Sequence, residues 1–191
     1  MHTNPRLKAI EIAREIVALN PIYLDTETTG VDQAAEIVEI CIVDEHAQTL
    51  MNTLVKPKAH IPQDAIRIHG ITNSLVQNAP SWLTIWPKVQ KIITGQLVAV
   101  YNADFDKKML QQSNKAHNIP WSAPPGTRFF CIMRLYAQFY GDWNSSFQNY
   151  RWHSLEKAGL QSNIKFMNSH RACADTQLAR DVLHYICNQD H

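Results

Sequence analysis

The chain has 191 residues, of which 45% are hydrophobic, and its formal net charge is +1. This length and composition suit one globular domain whose core needs no disulfide or structural metal. The small net charge excludes a broad basic surface for nucleic acid, and no apolar run is long enough to span a membrane. We therefore predict no membrane association.

The cysteines give an expectation for location. The four of them are widely spaced and form no Cys-x-x-Cys pair. This pattern argues against a zinc site or a disulfide framework and favours a reduced cytosol. Glu11 and Glu15 interrupt the apolar pattern near the start of the chain, which excludes a secretory signal there. We therefore predict a cytoplasmic protein.

The first predicted element is a helix. An Asn-Pro dipeptide at positions 4 and 5 is typical of a helix start, and apolar residues then recur at helical spacing. A second Asn-Pro dipeptide, at positions 20 and 21, ends the pattern. We predict an N-terminal helical appendage over residues 1–20 and a single domain over residues 21–191.

Strands and helices follow in an order that predicts the fold class. A strand runs through "PIYLDTET", and "IVEICIV" and "TLMNTLVK" form a hairpin because only "DEHAQ" separates them. Predicted helices at "QDAIRIHGIT", "SWLTIWPKVQKIIT", "DKKMLQQSNKAHN", "MRLYAQFYG", "HSLEKAG" and residues 171–188 then accompany the strands "LVAVYNA" and "RFFCI". Residues 141–151 are polar and are predicted to form a loop. The order predicts an α/β fold, a mixed sheet with helices on its faces.

Two acids stand at the end of the first strand. Asp25 and Glu27 are two residues apart, so on a strand they share a face and lie roughly 7 Å apart. Like charges at this spacing repel unless a cation lies between them, and a hard divalent cation with oxygen ligands meets that need. A solvated strand end is the alternative interpretation of this segment taken alone.

Further acids follow later elements. Asp104 and Asp106 follow "LVAVY" where a helix starts. Asp104 suits the helix N-terminus, where an acid caps N–H groups and opposes the dipole, and Asp106 suits the strand ends, where ligands gather in α/β sheets. His170 and Asp175 can converge only if His170 precedes the last helix, after a loop at residues 167–169, and Asp175 lies in its first turns. Taken singly, His170 also fits an ordinary loop histidine.

Together these residues form three motifs, Asp25-x-Glu27, Asn102-x-x-Phe105-Asp106 and His170-x-Ala172-x-x-Asp175. The set resembles the DEDDh 3′→5′ exonucleases, the DnaQ-like superfamily of the DNA polymerase III proofreading subunit and ribonuclease T. The segments "EIVEI" and "IHGIT" resemble the same family, and the similarity extends over about residues 20–187. One departure is Tyr101, where the family often has His.

The resemblance implies an RNase H-like fold, with a mixed five-stranded sheet and helices on both faces, and two divalent cations, Mg²⁺ or Mn²⁺. Carried over by motif, Asp25 would bridge both ions, and Glu27 and Asp175 would hold the ion that binds the attacking water. Asp106 would support the second ion, and His170 would be the general base. Histidine suits that role because its ordinary pKa, about 6.5, lies near working pH.

The resemblance also implies contacts with substrate. Thr28 would meet the terminal 3′-hydroxyl, and Asn102 would lie near the scissile phosphate. His69, in "IHGIT", has either a nucleotide contact or a structural role. Among the aromatic residues, Trp143 and Phe147 of the polar segment are candidates for stacking on bases.

These inferences predict a metal-dependent 3′→5′ exonuclease that hydrolyses single-stranded DNA or RNA from its 3′ end and releases nucleoside 5′-monophosphates. One alternative is a proofreading subunit that docks to a DNA polymerase, which is less favoured because few residues follow the last helix. Another is a catalytically inactive nucleic-acid-binding module, which is less favoured because all the motif residues are present. The sequence leaves the preference for DNA or RNA and the oligomeric state open.

Overall fold

The computed structural model describes residues 4–166 and 170–190, so the loop predicted at residues 167–169 lies outside the described residues. The helices are α1 (Pro5–Ala18), α2 (Gln63–His69), α3 (Trp82–Ile93), α4 (Ala103–Ala116), α5 (Ile132–Tyr140), α6 (Leu155–Gln161) and α7 (Ala172–Cys187). The strands are β1 (Ile22–Thr28), β2 (Ile37–Val43), β3 (Thr49–Leu54), β4 (Leu97–Val100), β5 (Arg128–Cys131), β6 (Trp143–Asn144) and β7 (Asn149–Tyr150).

Five of the strands form one mixed sheet in the order β3-β2-β1-β4-β5. Strands β1, β2 and β3 pair antiparallel, and β4 and β5 continue the sheet parallel to β1. The predicted hairpin between β2 and β3 and the predicted five-stranded mixed sheet are both confirmed. Strand β4 pairs with the start of β1, at Ile22 and Tyr23, and β2 pairs with β1 as far as its end.

Helices cover both faces of the sheet, as predicted. Alternation along β1 sends Tyr23 into one core cluster, with α1, α5 and α7, and Leu24 into another, with α3 and α4. All seven residues of β2 are buried, which explains the nearly continuous β-branched run in its sequence. No helix among residues 4–166 and 170–190 is long and apolar enough to cross a membrane.

The N-terminal helix α1 packs against α5 and α7. Ala9, Ile10 and Ala13 are fully buried in the cluster that these helices share with the sheet. Arg6 adds a contact between its guanidinium and the ring of Phe139, 3.8 Å from the ring centroid. The helix therefore contributes to a common core, and the division of the chain at residue 20 stays a prediction.

The polar segment after α5 differs from expectation. The predicted loop at residues 141–151 is wrong in part, because β6 and β7 form a small antiparallel sheet of their own. Each strand has two residues, which is too short for apolar alternation to appear in the sequence. Gly141 ends α5 with φ +86°, a left-handed conformation that glycine adopts without steric cost, and so turns the chain into this hairpin.

Candidate active site

The three sequence motifs lie on elements that meet at one end of the sheet. Asp25 and Glu27 are on β1, Asp106 is in the first turn of α4, and Asp175 is in the first turn of α7. Both α4 and α7 pack against β1. The fold therefore brings residues from distant parts of the chain to the end of the central strand.

Three carboxylates form the centre of the site. Asp25, Glu27 and Asp175 each offer an oxygen atom, and these atoms all lie within 4.8 Å of one another. Asp25 and Glu27 share the face of β1 that α7 covers, which the period of two in a strand explains. The three side chains are partly buried, so an ion between them would lose part of its water shell to carboxylate oxygens.

Asp106 is the fourth acid and approaches from α4. Its Oδ1 accepts a hydrogen bond of 2.7 Å from Thr26 Oγ1, which fixes the buried carboxyl group beside β1. Its charge contributes to raising the pKa of Asp25, so the two groups are close enough to interact. Asp106 lies outside the group of three but faces the same strand end.

Asp104 has a different position. It lies in the first turn of α4, where its charge favours the helix dipole, and its carboxylate forms an ion pair with the exposed Arg134. The predicted position of Asp104 at the helix N-terminus, opposing the dipole, is confirmed, but the N-cap residue of α4 is Asn102. The two acids are two positions apart and therefore lie on nearly opposite faces of the helix. Asp106 is buried and Asp104 is exposed.

Burial and mutual repulsion act on the acids together. Burial is the main cause that raises the pKa of Asp25 well above its ordinary value, and Asp106, Glu27 and Asp175 raise it further. Burial likewise raises the pKa of Glu27 to about 8 and that of Asp106 to about 7. The pKa of Asp175 is also raised by burial, while His170 acts in the opposite direction. The site therefore holds protons in the absence of a cation and releases them when one binds.

The donor set fits divalent cations. The clustered ligand atoms are all carboxylate oxygens, which hard cations such as Mg²⁺ and Mn²⁺ prefer. Repulsion among acids held this close favours binding of positive charge at their centre. The residues present therefore fit the cations that the resemblance implied, and Asp25, Glu27 and Asp175 can ligate directly.

A fifth acid, Glu39 on β2, supports the site without belonging to it. Its buried carboxylate accepts hydrogen bonds from Arg171 Nε at 2.9 Å and from the backbone N–H of Ala172 at 3.0 Å. Arg171 Nη2 donates to the other carboxylate oxygen, which makes the pair bidentate. Glu39 therefore fixes the first residues of α7 and the side chain that follows His170.

The position of Glu39 explains why Arg171 is needed. Glu39 lies directly opposite Glu27 in the antiparallel pair of β1 and β2, and like charges in that position repel. Arg171 offsets this repulsion, because its charge favours ionised Glu27, and Glu39 in turn raises the pKa of Arg171. The β1–β2 register shifts between Glu27 and Thr28, and a bulge there re-aims the end of the strand beside the site.

His170 lies immediately before α7, as predicted, and Arg171 is the N-cap residue of the helix. His170 is exposed and has φ +42°, a left-handed conformation that non-glycine residues seldom adopt. Together with Asp175, Ser154 and Glu156 it lines an open hollow of about 210 Å³. The histidine therefore lies in the same hollow as Asp175 and is accessible from solvent.

The predicted substrate contacts have distinct surroundings. Thr28 Oγ1 donates to the carbonyl of Gly30 at 2.7 Å, within the turn after β1. His69 is buried: its Nδ1 accepts from the N–H of Ile71 at 3.0 Å, so its Nε2 carries the proton and donates to the Thr28 carbonyl at 3.2 Å. These bonds give His69 a structural role in shaping the turn. Asn102 is exposed and its side chain makes no cap hydrogen bond.

Sequence reasoning gave Glu39 and Arg171 no role. The available signal was an acid inside "IVEICIV", a run whose other residues predict complete burial, because a buried carboxylate requires a partner. The partner lies 132 positions further along the chain, and local patterns do not report such pairs.

Comparisons with known proteins agree with this geometry. The family model described as Exonuclease (RNase_T) matches residues 22–183. Uncharacterized exonuclease CP81 of Escherichia phage 186 is 36% identical over 166 residues, which cover 85% of each chain. DNA polymerase III subunit epsilon of Rickettsia felis is 35% identical over 99 residues, which cover 49% of this chain and 43% of that protein.

Solved structures support the same fold. Exonuclease X in complex with 5′-overhanging duplex DNA matches with a TM-score of 0.66 and 23% identity, over 87% of this chain and 90% of that chain. The likeness confirms the predicted RNase H-like fold.

The raised carboxyl pKa values predict an unusual pH dependence of stability without metal. The folded protein binds protons that the unfolded chain releases above about pH 4, so protonation of the acids stabilises the folded state. This stabilisation is lost as the pH rises through about 7 to 8. In chelator, the melting temperature of the wild type should fall more steeply between pH 5.5 and 8 than that of Asp25→Asn. Scanning fluorimetry measures both, and added Mn²⁺ should raise the wild-type melting temperature most at pH 8. Parallel slopes for the two proteins would contradict this account.

The Glu39–Arg171 pair predicts a measurable contribution to stability. Glu39→Gln keeps the shape of the side chain but removes its charge, and it should lower the free energy of unfolding by about 1–3 kcal/mol. Asp104→Asn is the matched control, because it breaks the exposed pair with Arg134 and should cost less than about 1 kcal/mol. Urea unfolding in Mg²⁺, which suppresses repulsion among the acids, compares the two. Equal losses would show that Glu39 does not hold the start of α7.

Proposed function

The chain belongs to the DnaQ-like family of 3′→5′ exonucleases, and from this membership we propose that it hydrolyses single-stranded DNA or RNA from the 3′ end with the help of divalent cations. The observation that carries the proposal is the convergence of Asp25, Glu27 and Asp175 within 4.8 Å, with Asp106 beside them. An acid cluster alone would repel a phosphodiester, so substrate binding depends on cations at the same place.

We assign the cations to the four acids. Asp25, Glu27 and Asp175 would hold one ion between them, and Asp25 and Asp106 would support a second, with Mg²⁺ or Mn²⁺ suiting the oxygen ligands. When bound, such ions neutralise the acids, attract the phosphate oxygens and lower the pKa of bound water.

The reaction is hydrolysis of the last phosphodiester bond. The oxygen of a water molecule forms a bond with phosphorus, and the bond from phosphorus to the 3′-oxygen of the preceding nucleotide breaks. The products are a nucleoside 5′-monophosphate and a chain whose new 3′-oxygen takes a proton from solvent. The nucleotide is therefore removed without any co-reactant besides water.

His170 is assigned the role of general base. Its exposed side chain lines the same hollow as Asp175, so it can take the proton of the attacking water and pass it to solvent. The bidentate bond between Glu39 and Arg171 holds the neighbouring residue, which limits where the backbone of His170 can move. His170 has a left-handed backbone conformation, and such conformations in non-glycine residues cluster at functional sites.

The remaining assignments concern the terminal nucleotide. Asn102 follows β4, and its exposed side chain has no cap hydrogen bond to lose, so it can bind the scissile phosphate. Thr28 lies at the end of β1. Its hydroxyl can leave the Gly30 carbonyl and form a hydrogen bond with the terminal 3′-hydroxyl instead. His69 supports this turn through its bond to the Thr28 carbonyl, and a direct nucleotide contact stays a prediction.

A proofreading role with a polymerase is the second candidate. It is favoured by the 35% identity with the epsilon subunit of Rickettsia felis, although this chain spans about two fifths of that protein. The rate of single-strand hydrolysis, measured with and without added polymerase, separates the two roles. A proofreading subunit would gain activity when polymerase is added. We also propose that the protein is cytoplasmic, as its widely spaced cysteines predict.

Asp25→Asn tests the acid cluster. The substitution keeps the volume of the side chain but removes a charge, so we expect hydrolysis of a labelled single strand in Mg²⁺ to fall by more than about 10³-fold. Circular dichroism should show an intact fold, since the change relieves repulsion. Asp104→Asn, an exposed acid on α4, is the matched control and should retain full activity. Hydrolysis by Asp25→Asn at the wild-type rate would refute the assignment.

His170→Ala tests the general base. We expect kcat to fall by roughly 10²–10⁴-fold, because proton removal from water loses its acceptor. Binding of Mn²⁺, measured by calorimetry, should be unchanged, since the acids remain. His46→Ala changes an exposed histidine in the turn between β2 and β3 and should have no effect. Loss of Mn²⁺ binding in His170→Ala would instead identify the residue as a ligand.

A further inference from the structure

We propose that the β6–β7 hairpin is a stacking platform for the bases of single-stranded nucleic acid that leads to the active site. The aromatic platform consists of Trp143, Phe147, Tyr150 and Trp152. The inference rests on the proposed nuclease function and deepens it, because it identifies the substrate as a flexible strand several nucleotides long.

The hairpin register pairs two of the aromatic residues. Trp143 lies opposite Tyr150, and their ring centroids are 5.0 Å apart in an edge-to-face arrangement. The N–H of Arg151 donates to the carbonyl of Asp142, which continues the ladder by one pair, and their side chains form an ion pair of 3.5 Å. Trp152 follows this pair and, with Phe147, lines a hollow that also includes Asp142 and Arg151.

The platform exposes large apolar surfaces that no part of the described chain covers. Trp143 is 49% exposed, Trp152 61% and Phe147 75%. In the part of the chain that the structure describes, the aromatic side chains with large exposed fractions all lie between residues 140 and 152. Scattered exposed residues need no explanation, but a cluster of rings on one short hairpin indicates a binding surface.

The chemistry around the rings suits nucleotides. Phe147 and Trp152 line an open hollow of about 460 Å³ together with Lys157 and the ion pair of Arg151 with Asp142. Asn144 and Asn149, which pair across the hairpin, line the same hollow and add amide groups. Flat rings can stack on bases of any sequence, and the ammonium group of Lys157 can contact a phosphate.

This hollow adjoins the active site through the first turn of α6. Lys157 and His153 line the platform hollow, while Ser154 and Glu156 line the hollow that contains His170. Neighbouring residues of one helical turn thus face the two hollows. A strand whose terminal phosphate lies at the acids can continue past this turn onto the rings.

Tyr101 fixes this connection. Its buried hydroxyl lies 3.0 Å from the carbonyl of His153 and 3.2 Å from that of Ser154, and it donates its proton to this pair of acceptors. Tyr101 directly follows β4 and directly precedes Asn102. The departure from the family's frequent His therefore ties the exit of the hairpin to the strand end that carries the second motif.

The aromatic character of the surface decides between occupants. A protein partner would be expected to bury a broader apolar surface than one hairpin supplies. Single-stranded nucleic acid needs only a few rings in line with a phosphate-binding site, and the platform continues into such a site. The structure therefore favours a single strand as the occupant.

The test compares a long and a short substrate. Phe147→Ala with Trp152→Ala should raise KM for a single-stranded DNA 20-mer by about 5–150-fold, which corresponds to about 1–3 kcal/mol of lost stacking. The kcat for the 20-mer and both constants for a dinucleotide should stay at wild-type values, because the acids and His170 are unchanged. Phe147→Tyr with Trp152→Tyr should restore the wild-type KM. Leu83→Ala, an exposed apolar residue on α3, is the matched control and should change nothing.

Each result separates the platform from the nuclease proposal. If the wild type hydrolyses neither substrate in Mg²⁺ or Mn²⁺, the proposed function is wrong. If the wild type hydrolyses both and the double alanine variant keeps its KM for the 20-mer, the nuclease stands and the platform is wrong. An equal rise in KM for the dinucleotide would also overturn the platform, since it would show a general disturbance of the site.

Discussion

Repulsion among four carboxylates at the end of β1 is the constraint on which the site depends. Unneutralised acids at this spacing push one another apart, so the surrounding fold must hold them against that force. Strand β2 pairs with the segment of β1 that carries Asp25 and Glu27, and the bond from Thr26 fixes Asp106 from the other side. The same repulsion is released when cations bind, which turns a destabilising arrangement into affinity for metal.

Glu39 shows how the fold controls the start of α7. An additional acid opposite Glu27 would worsen the repulsion if it acted alone. Its bidentate pair with Arg171 cancels the charge, and its bond to the N–H of Ala172 satisfies a donor at the helix start. One buried carboxylate thus fixes the segment between His170 and Asp175, so the stability of this segment and the geometry of the site have a common cause.

The sequence predicted those features that local patterns encode. The β-branched run of β2, the hairpin to β3 and the alternation that brings Asp25 and Glu27 to one face were all predictable, and so was the position of His170 before α7. The pair of Glu39 with Arg171 was not, because it joins residues that only the folded sheet brings together. The two-residue strands of the hairpin lie below the length at which apolar alternation can be recognised. The position of Asp104 in the first turn of α4 was predictable, but the cap itself is Asn102, because the helix starts at Ala103.

The small net charge explains why binding of a strand would depend on the aromatic platform. A chain with a net charge of +1 has no broad basic field to attract nucleic acid, and without cations the acids of the site repel phosphates. Cations bound there can hold one phosphate, but they do not hold the rest of a strand. Stacking acts at short range, tolerates any base and is independent of net charge, so exposed rings such as Trp152 can supply the missing affinity. Anchoring by Tyr101 then matters, because rings on a hairpin that moved freely would lose part of that affinity to conformational entropy.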